Sequence, residues 1–472
     1  MSISSRRGAR RPTLIILVSV AATLGCALPP SEPLDTGVLL ANLERRDDDP
    51  RVALTALDRL GWVPVFARPD TRPAPRGSIE WWRERSVAFH PDVRLARRDL
   101  EATMALARGA SAPEPIELNL EVANLQAGTE NDLMATFDLL GLLGLGRSAK
   151  AALLAKAEVR AKHAILEEVT WRAIRAVART LGETEAATER ELGLARLLEE
   201  LRPLMSRARA AASRGWLSKG AMARAEALIN EIEGERAMAS VDLARRRATL
   251  ATEAGLPPGE TDVFPIARTA LTRTDQTAVV PDIPSTIELL GRMPLLRRLS
   301  LEYAVADANV AAVAAENFPN LAIGPRLIID PMSTLGGLVA ESSLPWPTSV
   351  DSQVDAAIAR RAQAREALED AVLRAAHNLK ARHHATRILH DQVHVNLRAR
   401  RESVDAWWSA ATGAFEADLM RFEDALMVAE ARMRFITTQA LLQLELANAH
   451  DELQEALGPS QMTVDRQERI SP

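Results

Sequence analysis

Two halves of the chain repeat one plan at a constant offset. Pro91, in His90-Pro91-Asp92-Val93, has a counterpart in Pro294, in Met293-Pro294-Leu295-Leu296. Gly215, in Arg214-Gly215-Trp216-Leu217-Ser218, is answered by Asp418, in Glu416-Ala417-Asp418-Leu419-Met420. Both pairs stand 203 positions apart (294 − 91 and 418 − 215). Between these marks each half reads as helix, β-like patch, one very long helix, sharp turn and long return helix. Self-similarity on this scale reports how a chain is assembled before it reports chemistry. Neither copy carries a Gly-rich phosphate loop, hydrolase-type metal spacing or a nucleophile elbow, so the chain reads as a conduit or scaffold and not as an enzyme. No cofactor is implied.

The repeat sits inside a longer plan. Arg6, Arg7, Arg10 and Arg11 precede an apolar run from Leu14 to Leu24, too short to span a bilayer and right for the core of a secretion signal. Thr23-Leu24-Gly25-Cys26 follows, and Cys26 is the only cysteine of the chain. The segment resembles a bacterial lipobox, with Thr23 where Leu is preferred; it implies cleavage after residue 25 and acylation of Cys26, the alternative being an ordinary cleaved or uncleaved leader with a bystander thiol. With that thiol acylated no disulfide remains, so stability must come from packing and assembly. Residues 26–78, rich in Pro, Asp and Arg, form an arm. The first repeat is expected over 79–256, a Pro-rich linker over 257–285, the second repeat over 286–458 and a polar tail over 459–472.

Within the repeats the spacing predicts long helices over Arg147–Ser213 and Thr348–Ala417, the first on the order of 100 Å long at ~1.5 Å per residue. The last helix shows a seam at steps of four and three: Phe422, Leu426, Ala429, Met433, Ile436, Ala440, Leu444 and Ala447. Helices this long need neighbours along their whole extent. Ile116-Glu117-Leu118-Asn119-Leu120-Glu121-Val122 alternates without error, the period of a strand with one greasy and one wet face. If the greasy face meets lipid, Glu117, Asn119 and Glu121 line a lumen. Further strands are expected near 133–143, 320–329 and 335–344. Four strands cannot close a barrel in lipid, whereas three chains would supply about twelve.

These segments resemble the TolC-like outer-membrane efflux factors over about Ser78 to Gly458. His90-Pro91-Asp92-Val93 is similar to the family's helix-opening motif, Asn317-Phe318-Pro319-Asn320-Leu321 to its entry into the second strand pair, and Arg214-Gly215-Trp216-Leu217-Ser218 to its Gly-x-x-Ser tip turn. Ser343-Leu344-Pro345-Trp346-Pro347 is closest to the CzcC-like heavy-metal branch. The resemblance implies a fold that is mainly α with a small β part: duplicated helical hairpins forming a trimeric α-helical barrel, topped by a β-barrel of about four strands per chain. It also implies a homotrimer, lipid-anchored in the outer membrane and extending into the periplasm. Its implied partners are outer-membrane lipid, a periplasmic adaptor (membrane fusion protein) and an inner-membrane RND-type pump. Two departures stand out. Asp418 replaces the second tip glycine, and one Tyr with eight Phe leaves little for the aromatic girdles of membrane barrels.

Other patterns bear on function. The 58 basic and 63 acidic residues give a net charge of −5, which supplies no single-sign field for nucleic acid. His383, His390 and His394 lie at spacings of seven and four, one helical face, where an i, i+4 pair chelates a divalent cation. A solvated helix face explains the same spacing, and the functional alternative is a transient metal stop. Trp216 and Leu217, with Arg214, Gly215 and Ser218, and Asp418 with Leu419 at the other turn, are candidate adaptor-docking tips. Packing beneath the turn is the alternative. Two function classes remain at this level: an efflux channel conducting solutes, including divalent metal ions, or a periplasmic coiled-coil lipoprotein acting as scaffold or adaptor without a pore. Clean alternation over Ile116 to Val122 favours the first and aromatic poverty the second.

Overall fold

The computed structural model describes residues 77–110, 117–125, 128–138, 147–256, 292–316, 320–329, 334–343, 347–417 and 420–458. All of them fall in Asp47–Pro472, the second of the chain's two structural units. The leader, Cys26, the arm to residue 76, the linker 257–285 and the tail 459–472 lie outside the described residues.

Helix α1 (Ile79–Phe89) is opened by Ser78, whose hydroxyl accepts the Trp81 N–H at 3.2 Å. The chain bends at His90 and α2 (Pro91–Ala110) begins on proline, whose missing N–H costs nothing in a first turn. Strands β1 (Glu117–Leu125) and β2 (Gly128–Asp138) follow, then α3 (Arg147–Ser213) and α4 (Lys219–Glu253). The second copy runs α5 (Pro294–Ala315), β3 (Asn320–Ile329), β4 (Thr334–Ser343), α6 (Pro347–Asp391), a π-helical segment (Gln392–Leu397), α7 (Arg398–Glu416) and α8 (Phe422–Leu457).

The offset read from sequence is an offset of structure. The starts of α2 and α5, of β1 and β3, and of α4 and α8, and the ends of α3 and α7, are each 203 positions apart. Gly255 and Gly458 also stand 203 apart, both at positive φ, 64° and 73°. Each closes its return helix against the residue two positions before the start of α2 or α5. A Cβ on Gly255 would meet the Phe89 Cβ at 2.6 Å and its carbonyl oxygen at 2.8 Å, and a Cβ on Gly458 would meet the Arg292 carbonyl oxygen at 2.5 Å. Phe89 and Arg292 are themselves one repeat apart, so the same closure is built twice. Between the copies only its lining differs. His90 Nε2 and Glu253 lie 2.8 Å apart where the second copy packs Met293 near Ala456.

Two sequence expectations move. The second strand, expected near 133–143, is Gly128–Asp138, because β1 runs on to Leu125 and only two residues separate the strands. The uniformly apolar Leu139-Leu140-Gly141-Leu142-Leu143 drew the reading toward the C-terminal side. The helix expected to run unbroken over 348–417 is interrupted by the π segment.

Helices α1, α2, α4, α5 and α8 all pack on α3. Small residues set the closest approaches: a Cβ on Gly193 would stand 2.8 Å from a methyl of Ile436 on α8. The α8 seam is buried at Phe422, Leu426, Ala429 and Met433, against Leu201, Leu204, Met205 and Trp408 among others. Farther along, Phe435 and Leu446, outside that seam, pack with Val393 and Leu397, so a second face of α8 serves a second neighbour.

Midway along α3 the packing turns ionic. Arg297 reaches Glu167 at 2.8 Å and Arg298 reaches Glu168 at 2.5 Å, tying α5 to α3. Arg175 donates to Asp451 and to Gln454, each at 2.7 Å, and lies 4.7 Å over the Trp171 ring, tying α8 to α3. Burial pushes the Asp451 carboxyl above its usual range even though Arg175 pulls it back. Beside this network His163 is driven down to about 4 by burial and by Arg297, and is neutral near pH 7. A buried pair of this kind costs desolvation on both sides, so cutting one partner is worse than removing both. Asp451→Ala is expected to lower stability by about 3–5 kcal/mol, while Asp451→Leu with Arg175→Met stays near neutral; thermal unfolding of the purified protein measures both. Gly458→Ala combines strained φ with a backbone clash and is expected to cost at least ~1–3 kcal/mol in the same assay. An unchanged melting temperature would disprove the closure.

Candidate functional site

The four strands form one antiparallel sheet in the order β1-β2-β3-β4, uniting the two copies through the β2–β3 pair. They are 9, 11, 10 and 10 residues long, matching the roughly 9–11 residues a tilted strand needs to cross a bilayer. Among the described residues β1 and β4 each keep one free edge.

The register puts the charged positions of the sheet on one face, which also takes Leu125, Ile328, Leu335 and Val339. Successive positions alternate between faces, and Glu117, Asn119 and Glu121 pair with Thr136, Met134 and Asp132. Continuing through Met134↔Arg326, Asp138↔Ala322 and Ala322↔Glu341, the same face collects Glu117, Glu121, Glu130, Asp132, Asp138 and Glu341, with Arg326 as its one basic position. The opposite face carries Leu118, Leu120, Leu133, Phe137, Ile323 and Leu338 and not one charged position. Leu338, 82 % exposed, belongs to that apolar face. Sequence alternation divides the positions of β1 into the same two sets. Its extension across the sheet depended on the true start of β2.

The first tip turn is built in two steps. The Gly215 N–H donates to the Ala212 carbonyl at 3.0 Å and the Trp216 N–H to the Ala211 carbonyl at 2.9 Å, a Schellman closure that needs positive φ at Gly215, here 76°. Ser218 then opens α4, its hydroxyl accepting the Ala221 N–H at 3.0 Å. The two apolar tip residues part company. Trp216 is 75 % exposed with the Arg214 guanidinium 5.2 Å from its ring centroid, whereas Leu217 folds under the turn onto the core. At the second tip Asp418 and Leu419 lie outside the described residues; Met420 packs on the same core and Arg421 precedes α8 without a side-chain cap.

Behind the tips lies a cluster that sequence reasoning missed. Glu200 on α3 accepts the Trp408 Nε1–H at 2.7 Å and pairs with Arg432, whose guanidinium lies 5.0 Å over the Trp408 ring. These residues border a cavity of about 560 Å³ with Pro203, Arg207, Asp405 and Thr412, between the first hairpin and the second. The signal in the sequence was the Trp407-Trp408 pair in an aromatic-poor chain.

The histidines separate. His390 and His394 bring their ring centroids to 4.3 Å, while His383 lies two helical turns earlier on α6. Among the described residues no group of three or more His, Cys, Asp or Glu side chains is arranged to hold a metal ion. Nor is any described helix long and apolar enough to cross a membrane.

No protein-family model matches the chain, and no curated protein is similar to it in sequence. Solved structures are similar. CusC, described for its folding and transmembrane channel formation, superposes with a TM-score of 0.69 at 17 % identity, covering 84 % of this chain and 96 % of its own. The CmeC outer membrane channel of Campylobacter jejuni gives 0.64 at 12 %, covering 92 % of this chain and 94 % of its own. The open MtrE outer membrane channel of Neisseria gonorrhoeae gives 0.66 at 18 %, covering 81 % and 89 %. The long helical hairpins, the four-stranded sheet and this likeness agree: the chain has the fold of the TolC-like outer-membrane efflux channels.

Proposed function

We propose that the protein is the outer-membrane channel of a tripartite efflux system, conducting solutes passively while an inner-membrane RND-type pump, reached through a periplasmic adaptor, supplies the energy. The two-faced sheet carries this reading. Strands of spanning length with one charge-free face suit lipid on one side and water on the other. Free edges at β1 and β4 are intolerable in lipid, and three copies joined edge to edge supply about twelve strands and remove them. An acyl chain on Cys26 would add an anchor to the same membrane. The channel makes and breaks no bond; its chemistry is pore shape and lining charge.

The cargo class follows from that lining. Six acidic positions against one basic position per copy favour cations in the lumen. Divalent metal ions, the cargo suggested by the CzcC-like segment, fall within that class. In planar bilayers the detergent-extracted full-length protein is expected to give a steady conductance that prefers K⁺ over Cl⁻. Glu121→Gln with Asp132→Asn should pull the permeability ratio toward unity. Conductance without cation preference would remove the cargo class and leave the channel, whereas absence of conductance would remove the channel.

Trp216 is the docking residue of the tip. A large exposed aromatic held by a rigid turn and backed by Arg214 has the character of an interface anchor, and Leu217 serves packing instead. Trp216→Ala is expected to weaken adaptor binding by about 2 kcal/mol, roughly 30-fold, and to lower efflux with outer-membrane amounts unchanged. Unchanged binding would show that the tip docks through other residues.

A further inference from the structure

The two tip turns share a plan and differ in the sign of their charge. Residues 205–225, about 15 Å of helix to either side of Gly215, carry Arg207, Arg209, Arg214, Lys219 and Arg224 and no acidic residue. One repeat later, residues 408–428 carry Glu416, Asp418, Glu423 and Asp424, with Arg421 as the one basic residue. The five basic positions of the first tip correspond to Ala410, Thr412, Ala417, Phe422 and Met427, so the sign is not inherited from the shared plan.

The basic side chains of the first tip are presented outward: all five are exposed. Arg224 approaches Glu430 of α8 at 3.7 Å, and Arg214 lies beside the Trp216 ring. Arg209 and Lys219 make no ion pair among the described residues. Lys219 is also placed against the local field. It is the first residue of α4, where the helix dipole is positive and Asp or Glu is the stabilising choice. Helix α8 makes that choice with Glu423 and Asp424 in its first turn, whereas α4 has no acidic residue there. The first tip therefore adds a cation to a positive helix end, which helix stability alone would not select.

The apolar anchor belongs to the same tip. Trp216 is the one exposed large apolar side chain among residues 205–225, and its counterpart in the second copy is Leu419. A single aromatic is too little to insert a helix face into lipid and enough to fill a pocket on a protein. Leu217 and Met420 pack on one core cluster, so the basic tip and the acidic tip adjoin.

We propose that the first tip selects an acidic peptide segment of its partner, with Trp216 as anchor and Arg209, Arg214 and Lys219 as the charge-reading rim, while the adjoining acidic tip repels that segment. This rests on the docking role given to Trp216 above and adds the partner's chemistry to it. Attraction at one tip and like-charge repulsion at the other fix which hairpin of each copy the segment meets. A partner presenting only acidic apexes would thus engage one of the two tips of each copy.

Fluorescence anisotropy on the full-length detergent-purified protein tests this with three labelled synthetic helical-hairpin peptides, alike except for apexes of Glu, Gln or Lys. At about 50 mM salt the Glu peptide is expected to bind roughly tenfold more tightly than the Gln peptide, and the Lys peptide roughly tenfold more weakly. At about 500 mM salt, where the screening length falls to about 4 Å, these differences should vanish. Arg209→Glu with Lys219→Glu should invert the order, a gain of binding by the Lys peptide that misfolding cannot produce. An unchanged order in that variant would overturn the proposal. Equal binding of all three peptides, weakened by Trp216→Ala, would overturn the charge selection and leave docking through Trp216 in place, whereas binding of none would remove both. Co-flotation of the protein, held in nanodiscs, with phosphatidylglycerol vesicles while the Glu peptide stays unbound would assign the tip to a membrane surface and overturn the proposal.

Discussion

A helix of 67 residues in water must be covered along its length, and the architecture follows from how α3 is covered. Helices α1, α2 and α4 of its own copy and α5 and α8 of the other all lie on it. The duplication is thereby fused: two copies share one spine. Where α3 meets α5 and α8 the contacts are the buried Arg297–Glu167, Arg298–Glu168 and Arg175–Asp451 pairs, which fix axial position as a smooth apolar seam would not. Towards the tips the contacts become close-packed Leu, Ala and Met, with Gly193 admitting Ile436. The charged part sets register and the apolar part supplies most of the burial.

Repetition also shows which features belong to the fold and which to this protein. The turns closed by Gly255 and Gly458, and the starts of α2 and α5, recur at the same offset because the backbone plan demands them. Side chains at equivalent places differ freely, as in His90 and Glu253 against Met293 and Ala456. The Glu200, Trp408 and Arg432 cluster joins the two hairpins, and its counterparts Ser403, Met205 and Ile229 in the other copy form nothing similar. Asymmetry of this kind is expected where a duplicated body meets cargo, partners or a moving part on one side only.

Much of this was legible in the sequence. The ends of α3, the limits of β3 and the 203-residue offset could be read because proline, glycine and strict alternation mark boundaries by sterics alone. The limits of β2 could not, since a uniformly apolar stretch has no period and Leu139 to Leu143 suits a strand or a buried turn equally well. The π segment left no local signature: Gln392 to Leu397 has ordinary helical composition, and the interruption follows from packing of Val393 and Leu397 across to α8. At the first tip composition identified the turn, but only the fold distinguished exposed Trp216 from folded-under Leu217. The histidine spacing was real, yet a shared face over seven residues still leaves His383 two turns from the pair.

The central claim is that this chain, whose described residues form a four-stranded sheet with two free edges, becomes a pore by association with copies of itself. Electron microscopy of the detergent-extracted full-length protein tests it most directly through the symmetry and outline of single particles. The account predicts three-fold particles with a hollow β end and a hollow helical section. A monomer, or a solid rod without a lumen, would contradict it.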